Sequence, residues 1–158
     1  MIHYAYFHSP VGFIELHSDG ESLLAARFVE APTRGHMPDA VLLRAIHQLT
    51  AYFSGELTAF DLPLRLKGTS FQLSVWEQLL KIPFGETRSY GDIARALGNP
   101  GAMRAVGAAN GANPIVIIIP CHRVITTDGT LGGYGGGLWR KAWLLRHEGV
   151  SIYIKRQT

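Results

Sequence analysis

The sequence predicts an α+β fold in two parts: an antiparallel sheet with a packed helix over residues 1–66, then a mainly helical, winged-helix-like domain with a helix-turn-helix pattern over residues 67–158. Three observations predict it. Short runs of Tyr, Phe, Val and Ile broken by turn formers fill the first thirty residues, which is how a strand meander reads. Helix signals with capping boxes take over after Lys67-Gly68. Charge divides at the same place: residues 1–66 hold 4 Lys+Arg against 7 Asp+Glu, or −3, while residues 67–158 hold 11 against 5, or +6.

With 158 residues and 47% apolar content the chain can fill a core without staples. One cysteine excludes an internal disulfide framework and a Cys-rich zinc site, so no structural metal is expected and Cys121 acts as a free thiol in a reducing compartment. The start Met1-Ile2-His3-Tyr4 lacks a basic lead before an apolar run, and the stretch Ile115 to Ile119 is too short to span a bilayer. A cytoplasmic protein with no membrane attachment is expected. The pI near 9.2, with its positive charge in one half, suits a polyanionic partner without demanding one.

In order, residues 2–8, 11–17 and 22–29 read as strands, separated by Ser9-Pro10 and Ser18-Asp19-Gly20. Asp39 can cap a helix in which Val41, Leu42, Ala45, Ile46, Leu49 and Phe53 recur at helical spacing, with Gly55 as its stop. A further short strand is expected through Leu62 to Leu66. His3, His8, His17, His36 and His47 are scattered and gather no chemistry, so this half reads as scaffold.

In the second half, Thr69 and Gln72 make a capping box for a helix with Phe71, Val75, Trp76, Leu79 and Leu80 on one face. Ser89 and Asp92 make another, for a short helix through Leu97 closed by Gly98. Asn99-Pro100 is expected to restart the chain as N-cap and first helical residue. Two short helices joined in this way form a helix-turn-helix pattern. The second, Gly101 to Ala112, is rich in residues with little or no side chain, so it can lie close against another surface. Arg104 is the sole charged residue between Arg95 and Arg123. It reads either as a solvent-facing cation or as a side chain inserted into a minor groove.

Ile115 to Ile119 is a β-branched run, expected as a strand buried on both faces and ended by Pro120. Cys121-His122-Arg123 then emerges at a strand end. A lone cysteine is ordinarily an inert core residue, but an adjacent imidazole and guanidinium both favour thiolate. Both readings stay open on spacing alone. Val124-Ile125-Thr126 reads as a strand, Asp128-Gly129 as a hairpin turn, and Gly132-Gly133-Tyr134-Gly135-Gly136-Gly137 as a loop that lets backbone approach a flat ligand. That loop lacks the Lys-Ser/Thr of a nucleotide-binding P-loop. A last helix runs from Leu138 through Ala142, Trp143 and Leu145 to His147-Glu148-Gly149, where Glu148 can orient a histidine.

Pro120-Cys121-His122-Arg123-Val124, preceded by Arg104-Ala105-Val106-Gly107 and Asn113-Pro114 and followed by the Gly-rich loop and His147-Glu148-Gly149, resembles the methylated-DNA–protein-cysteine methyltransferases, the O6-alkylguanine-DNA alkyltransferases. The resemblance runs from about Phe71 to Val150, and the N-terminal half is only loosely similar to the family's variable domain. It implies DNA repair by direct damage reversal. A damaged guanine, with O4-alkylthymine as a second candidate, is flipped from the duplex and its alkyl group passes irreversibly to Cys121, once per molecule. It further implies that His122 acts through a water as base for the thiol, that Glu148 holds His122, and that Tyr90 donates a proton to guanine N3. Arg104 would fill the place of the extruded base, with Tyr90, Ala102, Ala105 and Arg123 also at the DNA. Asn113, Val124, Tyr134 and Gly135 would line the substrate pocket, with carbonyls of Cys121 and Val124 accepting from the exocyclic amine.

The partner implied is double-stranded DNA, entered from the minor groove, with no cofactor and no metal, and a monomer is expected. Gly135 departs from the Ser found in many members, so a hydroxyl contact to O6 is missing. N-terminal zinc-binding cysteines of some relatives are absent, and the Trp that replaces cysteine in non-catalytic relatives is not found here. Two rival readings remain: a helix-turn-helix module that recognises damage without chemistry, and a cysteine hydrolase using Cys121 and His122. Adjacent residues point different ways, which makes the direct Cys–His contact of a hydrolase awkward.

Overall fold

The computed structural model describes residues 1–152, which divide into two compact units. The first comprises residues 1–67 with residues 114–116, and the second residues 68–113 with the chain from 117 onward.

In the first unit, β1 (His3–Ser9), β2 (Gly12–Ser18) and β3 (Leu23–Val29) form an antiparallel meander in the order β1-β2-β3. The register runs from His3 opposite Ser18 to Ser9 opposite Gly12. Pro10 and Val11 make the two-residue turn, where Gly12 holds φ 107° and the Ser9 hydroxyl bonds both ends of the turn. Alternation places Ala5, Ile14, Leu16, Leu23 and Ala26 in the core, where α1 (Ala40–Phe53) contributes Leu42, Ala45, Leu49 and Tyr52. The Asp39 carboxylate caps α1 by accepting from Leu42 N–H at 2.9 Å, as its sequence position predicts. The expected strand through Leu62 to Leu66 does not form. Leu64 makes a single parallel bridge to Leu23, because Pro63 lacks the N–H that a longer ladder needs. Two of the scattered histidines prove to be satisfied polar residues: His17 pairs with Glu15 at 2.6 Å and His36 Nδ1 accepts from Tyr6 N–H.

The second unit begins with α2 (Ser70–Leu80), followed by β4 (Arg88–Ser89), α3 (Tyr90–Ala96) and α4 (Met103–Gly111). Both capping boxes are present, Thr69 with Gln72 and Ser89 with Asp92. Gly98 stops α3 at φ 74°. Asn99 does not cap α4: Asn99 to Ala102 close a turn through Ala102 N–H to Asn99 O at 3.0 Å, and the helix starts at Met103 without a side-chain cap. Trp76 of α2 pins α4 by donating its indole N–H to Ala109 O at 2.9 Å.

The run Ile115 to Ile119 is buried except for Val116, but it is not one strand. Ile115 bridges to Ala26 in the first unit, and Ile117 sits at φ 71°, which breaks any ladder. For a β-branched residue this conformation costs on the order of 1–3 kcal/mol, and complete burial of the side chain offsets it. A 3₁₀ turn (Cys121–Arg123) follows, and β5 (Val124–Ile125) pairs in parallel with β4, a partner the sequence did not announce. The Asp128-Gly129 turn is closed by Thr126 N–H to Thr130 O at 3.0 Å, but among the described residues no returning strand pairs with β5. The chain enters the glycine loop instead and then α5 (Leu138–His147), whose Ala142 and Leu145 pack with Leu131, Ile125, Val150 and Ile152.

Candidate active site

Cys121 opens the 3₁₀ turn and is almost wholly buried. Its turn is gripped from the C-terminal end of α4. Asn113 Nδ2 donates to Ile119 O at 2.7 Å, and Asn110 Nδ2 donates to Cys121 O at 3.3 Å. The same Cys121 carbonyl accepts from Val124 N–H, so both lone pairs of the group expected to meet a base's amine are already engaged. Burial pushes the thiol's pKa up, while hydrogen bonds from the Asn113 and Tyr134 side chains and the charge of Lys141 pull against that rise.

His122 is completely buried. Burial lowers its pKa, and Glu148 opposes the change by hydrogen bond and charge. Its Nε2 lies 2.7 Å from Glu148 Oε2. Burial raises the Glu148 pKa, but hydrogen bonds from His122 and Arg123 and their charges outweigh it and hold the carboxyl at about 2. An ionised acceptor at Nε2 places the imidazole proton there, leaving Nδ1 with its lone pair. That Nδ1 is buried and has no hydrogen-bond partner among the described residues. The ring is thus a neutral base whose acceptor atom meets no protein donor among the described residues, and it makes no direct hydrogen bond to the thiol of the kind a cysteine hydrolase uses.

Arg123 is where the expectation fails. It does not face outward toward DNA: it is 6% exposed, its Nε and Nη2 grip Glu148 at 2.7 and 3.0 Å, and its Nη1 donates to Ile82 O at 2.7 Å. A buried carboxylate needs a counterion, and the nearest guanidinium is drawn in to supply it.

Tyr90, the first residue of α3, is half-buried beside the cysteine. Burial and the charge of Cys121 raise its pKa. Gly132, at φ 70°, fits against it so closely that a Cβ there would stand 3.2 Å from the Tyr90 ring and hydroxyl. Burial and the charge of Cys121 raise the Tyr134 pKa well above the ordinary phenol value. Val124 is buried, whereas Gly135 is exposed with open space where a Cβ would stand. On α4, Arg104 and Ala105 are exposed and Ala102 half-exposed, at the opposite end of the helix from Asn110 and Asn113. Arg104 forms no ion pair among the described residues.

Two residues at this site were not singled out from the sequence. Asn110 could have been noticed as the only amide on an Ala-Gly helix. Lys141 could have been noticed as a cation in the first turn of a helix with no acid beside it. No group of three or more metal-binding side chains is found among the described residues, and no helix there is long and apolar enough to cross a membrane.

Comparison with known proteins agrees with this geometry. Residues 2–66 match the ribonuclease-like domain of 6-O-methylguanine DNA methyltransferase and residues 70–150 match its DNA binding domain. A methylated-DNA–protein-cysteine methyltransferase of Mycobacterium tuberculosis is 55% identical over 153 residues, covering 94% of this chain and 93% of that one. Its counterpart in Methanosarcina acetivorans is 49% identical over 154 residues, covering 94% and 99%. The crystal structure of Mycobacterium tuberculosis OGT in complex with DNA superposes with a TM-score of 0.86 at 53% identity, over 92% of each chain. The matched models, the identity over nearly the full length and the superposed fold agree that this chain belongs to the methylated-DNA–protein-cysteine methyltransferase family.

Proposed function

We propose that this protein repairs DNA by moving the alkyl group of O6-alkylguanine onto Cys121, once per molecule. The observation that carries the reading is the neutral His122, fixed through Nε2 to Glu148, with its Nδ1 free of protein donors among the described residues, one residue from the cysteine. A water between Nδ1 and Sγ satisfies that buried atom and passes the thiol proton to the imidazole. The thiolate then attacks the alkyl carbon, the S–C bond forms as the C–O6 bond breaks, and the electron pair stays on the purine. Tyr90 donates its phenolic proton to guanine N3, so the base leaves neutral. Glu148 remains ionised throughout and stabilises the imidazolium, while Arg123 keeps Glu148 from taking the proton itself.

The base reaches the thiol by extrusion, at a cost of a few kcal/mol, and Arg104 on the small-residue face of α4 takes its place in the stack from the minor groove. Ala102 and Ala105 let the helix approach the sugar-phosphate edge. Asn113 braces the cysteine turn, and Val124, Tyr134 and Gly135 line the pocket. Residues 67–158 carry the chemistry, residues 1–66 serve as scaffold, and the protein works as a monomer. A free thiol as the reacting group suits a reducing, cytoplasmic compartment.

The reading is tested by incubating the protein with a duplex bearing one O6-methylguanine and digesting the DNA to nucleosides. Guanine should be restored to one equivalent per protein and no further. Turnover beyond one equivalent, or binding with the lesion intact, would overturn it.

A further inference from the structure

Lys141 takes no part in the reaction as written above, yet its position is unfavourable on three counts. Its side chain is 0% exposed. It lies in the first turn of α5, where the helix dipole already places positive charge and no acidic residue is present. It also forms no ion pair with a carboxylate among the described residues. Its ammonium donates to Gly133 O at 3.0 Å and lies 5.9 Å from the centre of the Tyr90 ring. A carbonyl and an aromatic face do not repay the desolvation of a full charge, so such a group either gives up its proton or acquires an anion. Burial does lower its pKa, to about 8, and the charge of Cys121 acts to raise it again.

The groups around it narrow the choice of anion. Tyr90 on α3 and Tyr134 on the glycine loop have raised pKa values and are neutral before the reaction begins. His122 is neutral, and Glu148 is already shared between His122 and Arg123. Arg140, the other cation beside it on α5, donates to Gly136 O and stacks on Trp139. Before the alkyl carbon is attacked, Cys121 is the group left among these that can become an anion.

We propose that Lys141 is the counterion of the Cys121 thiolate, a buried ammonium that offsets the cost of ionising a buried thiol and loses its partner when the sulfur is alkylated. The inference rests on the alkyl-transfer reading of Cys121. Lys141 keeps its own proton throughout; the thiol's proton still goes to His122. Lys141 is therefore a positioning residue acting through charge, since it does not itself attack or donate.

The test is the pH profile of Cys121 inactivation by iodoacetamide, which needs no DNA, in the native protein and in Lys141→Met. That substitution keeps the length of the side chain and removes its charge. The midpoint should move up by about one pH unit or more, making the variant roughly tenfold slower at pH 7, with the two rates converging at high pH. An unchanged midpoint in a folded variant overturns the proposal. A shifted midpoint in a protein that leaves O6-methylguanine untouched would instead overturn the repair reading alone. Should Lys141→Met not fold, the native protein answers by ¹³Cε NMR titration of its four lysines before and after capping Cys121 with methyl methanethiosulfonate. One buried lysine should titrate at lower pH once the thiolate is gone, and four unchanged titrations would contradict the pairing.

Discussion

Arg123 holds Glu148 in a two-point grip, with Nε at 2.7 Å from Oε1 and Nη2 at 3.0 Å from Oε2. The same Oε2 receives His122. One buried carboxylate therefore fixes both the charge balance of the site and the tautomer of its base.

Breaking that group should be severe. Glu148→Gln leaves the Arg123 guanidinium buried without a full counterion, which costs about 3–5 kcal/mol, and permits the wrong His122 tautomer. We expect a lower urea midpoint together with a loss of alkyl transfer of at least about a hundredfold. Full activity in the variant would show that Glu148 does not orient the base.

The acid limb of stability follows from the same pair. Glu148 is held at about 2 when folded against 4.5 as its ordinary value, so its contribution is present above 4.5 and lost as pH falls toward 2. That amounts to at most about 3 kcal/mol. His122 is depressed below 6.5 by burial, so the unfolded chain binds the extra proton first and stability already declines below 6.5. Urea unfolding between pH 7 and pH 3 should show both stages, and Glu148→Gln should remove the lower one.

Arg104→Ala should separate binding from chemistry. Repair of a lesion in duplex DNA should fall strongly, and reaction with free O6-benzylguanine much less, because only the duplex requires a filler for the extruded base. Affinity for duplex should also decline as salt rises, through release of counterions. Equal losses on both substrates would remove the finger role.

The two glycines beside the tyrosines should respond in opposite ways. Gly135→Ser meets open space and should change stability by less than about 0.5 kcal/mol. Gly132→Ala places a Cβ 3.2 Å from the Tyr90 hydroxyl at a φ of 70°, so it should lower the melting temperature and slow transfer. Thermal melts of the two variants side by side check both statements.

What the sequence made legible follows from how local each signal is. The meander, Asp39, both capping boxes and Gly98 are read from neighbours within four residues, and each is found in place. The Cys121, His122 and Glu148 grouping was legible through motifs in register. Arg123 was misread because its partner lies 25 residues away and its sequence neighbours give no hint of it. The isoleucine run was misread because β-branching reports burial, which is observed, and says nothing of the φ at Ile117 that breaks the ladder. Lys141 gives no local signal, because a buried cation is recognised only by what surrounds it in space.

Intact-protein mass spectrometry after mixing with one equivalent of O6-methylguanine duplex reads the transfer to Cys121 itself. The expected result is a gain of a single methyl group, mapped by digestion to the peptide bearing Cys121 and absent in Cys121→Ser. An unchanged mass while the duplex is repaired, or a methyl group on any other residue, would contradict it.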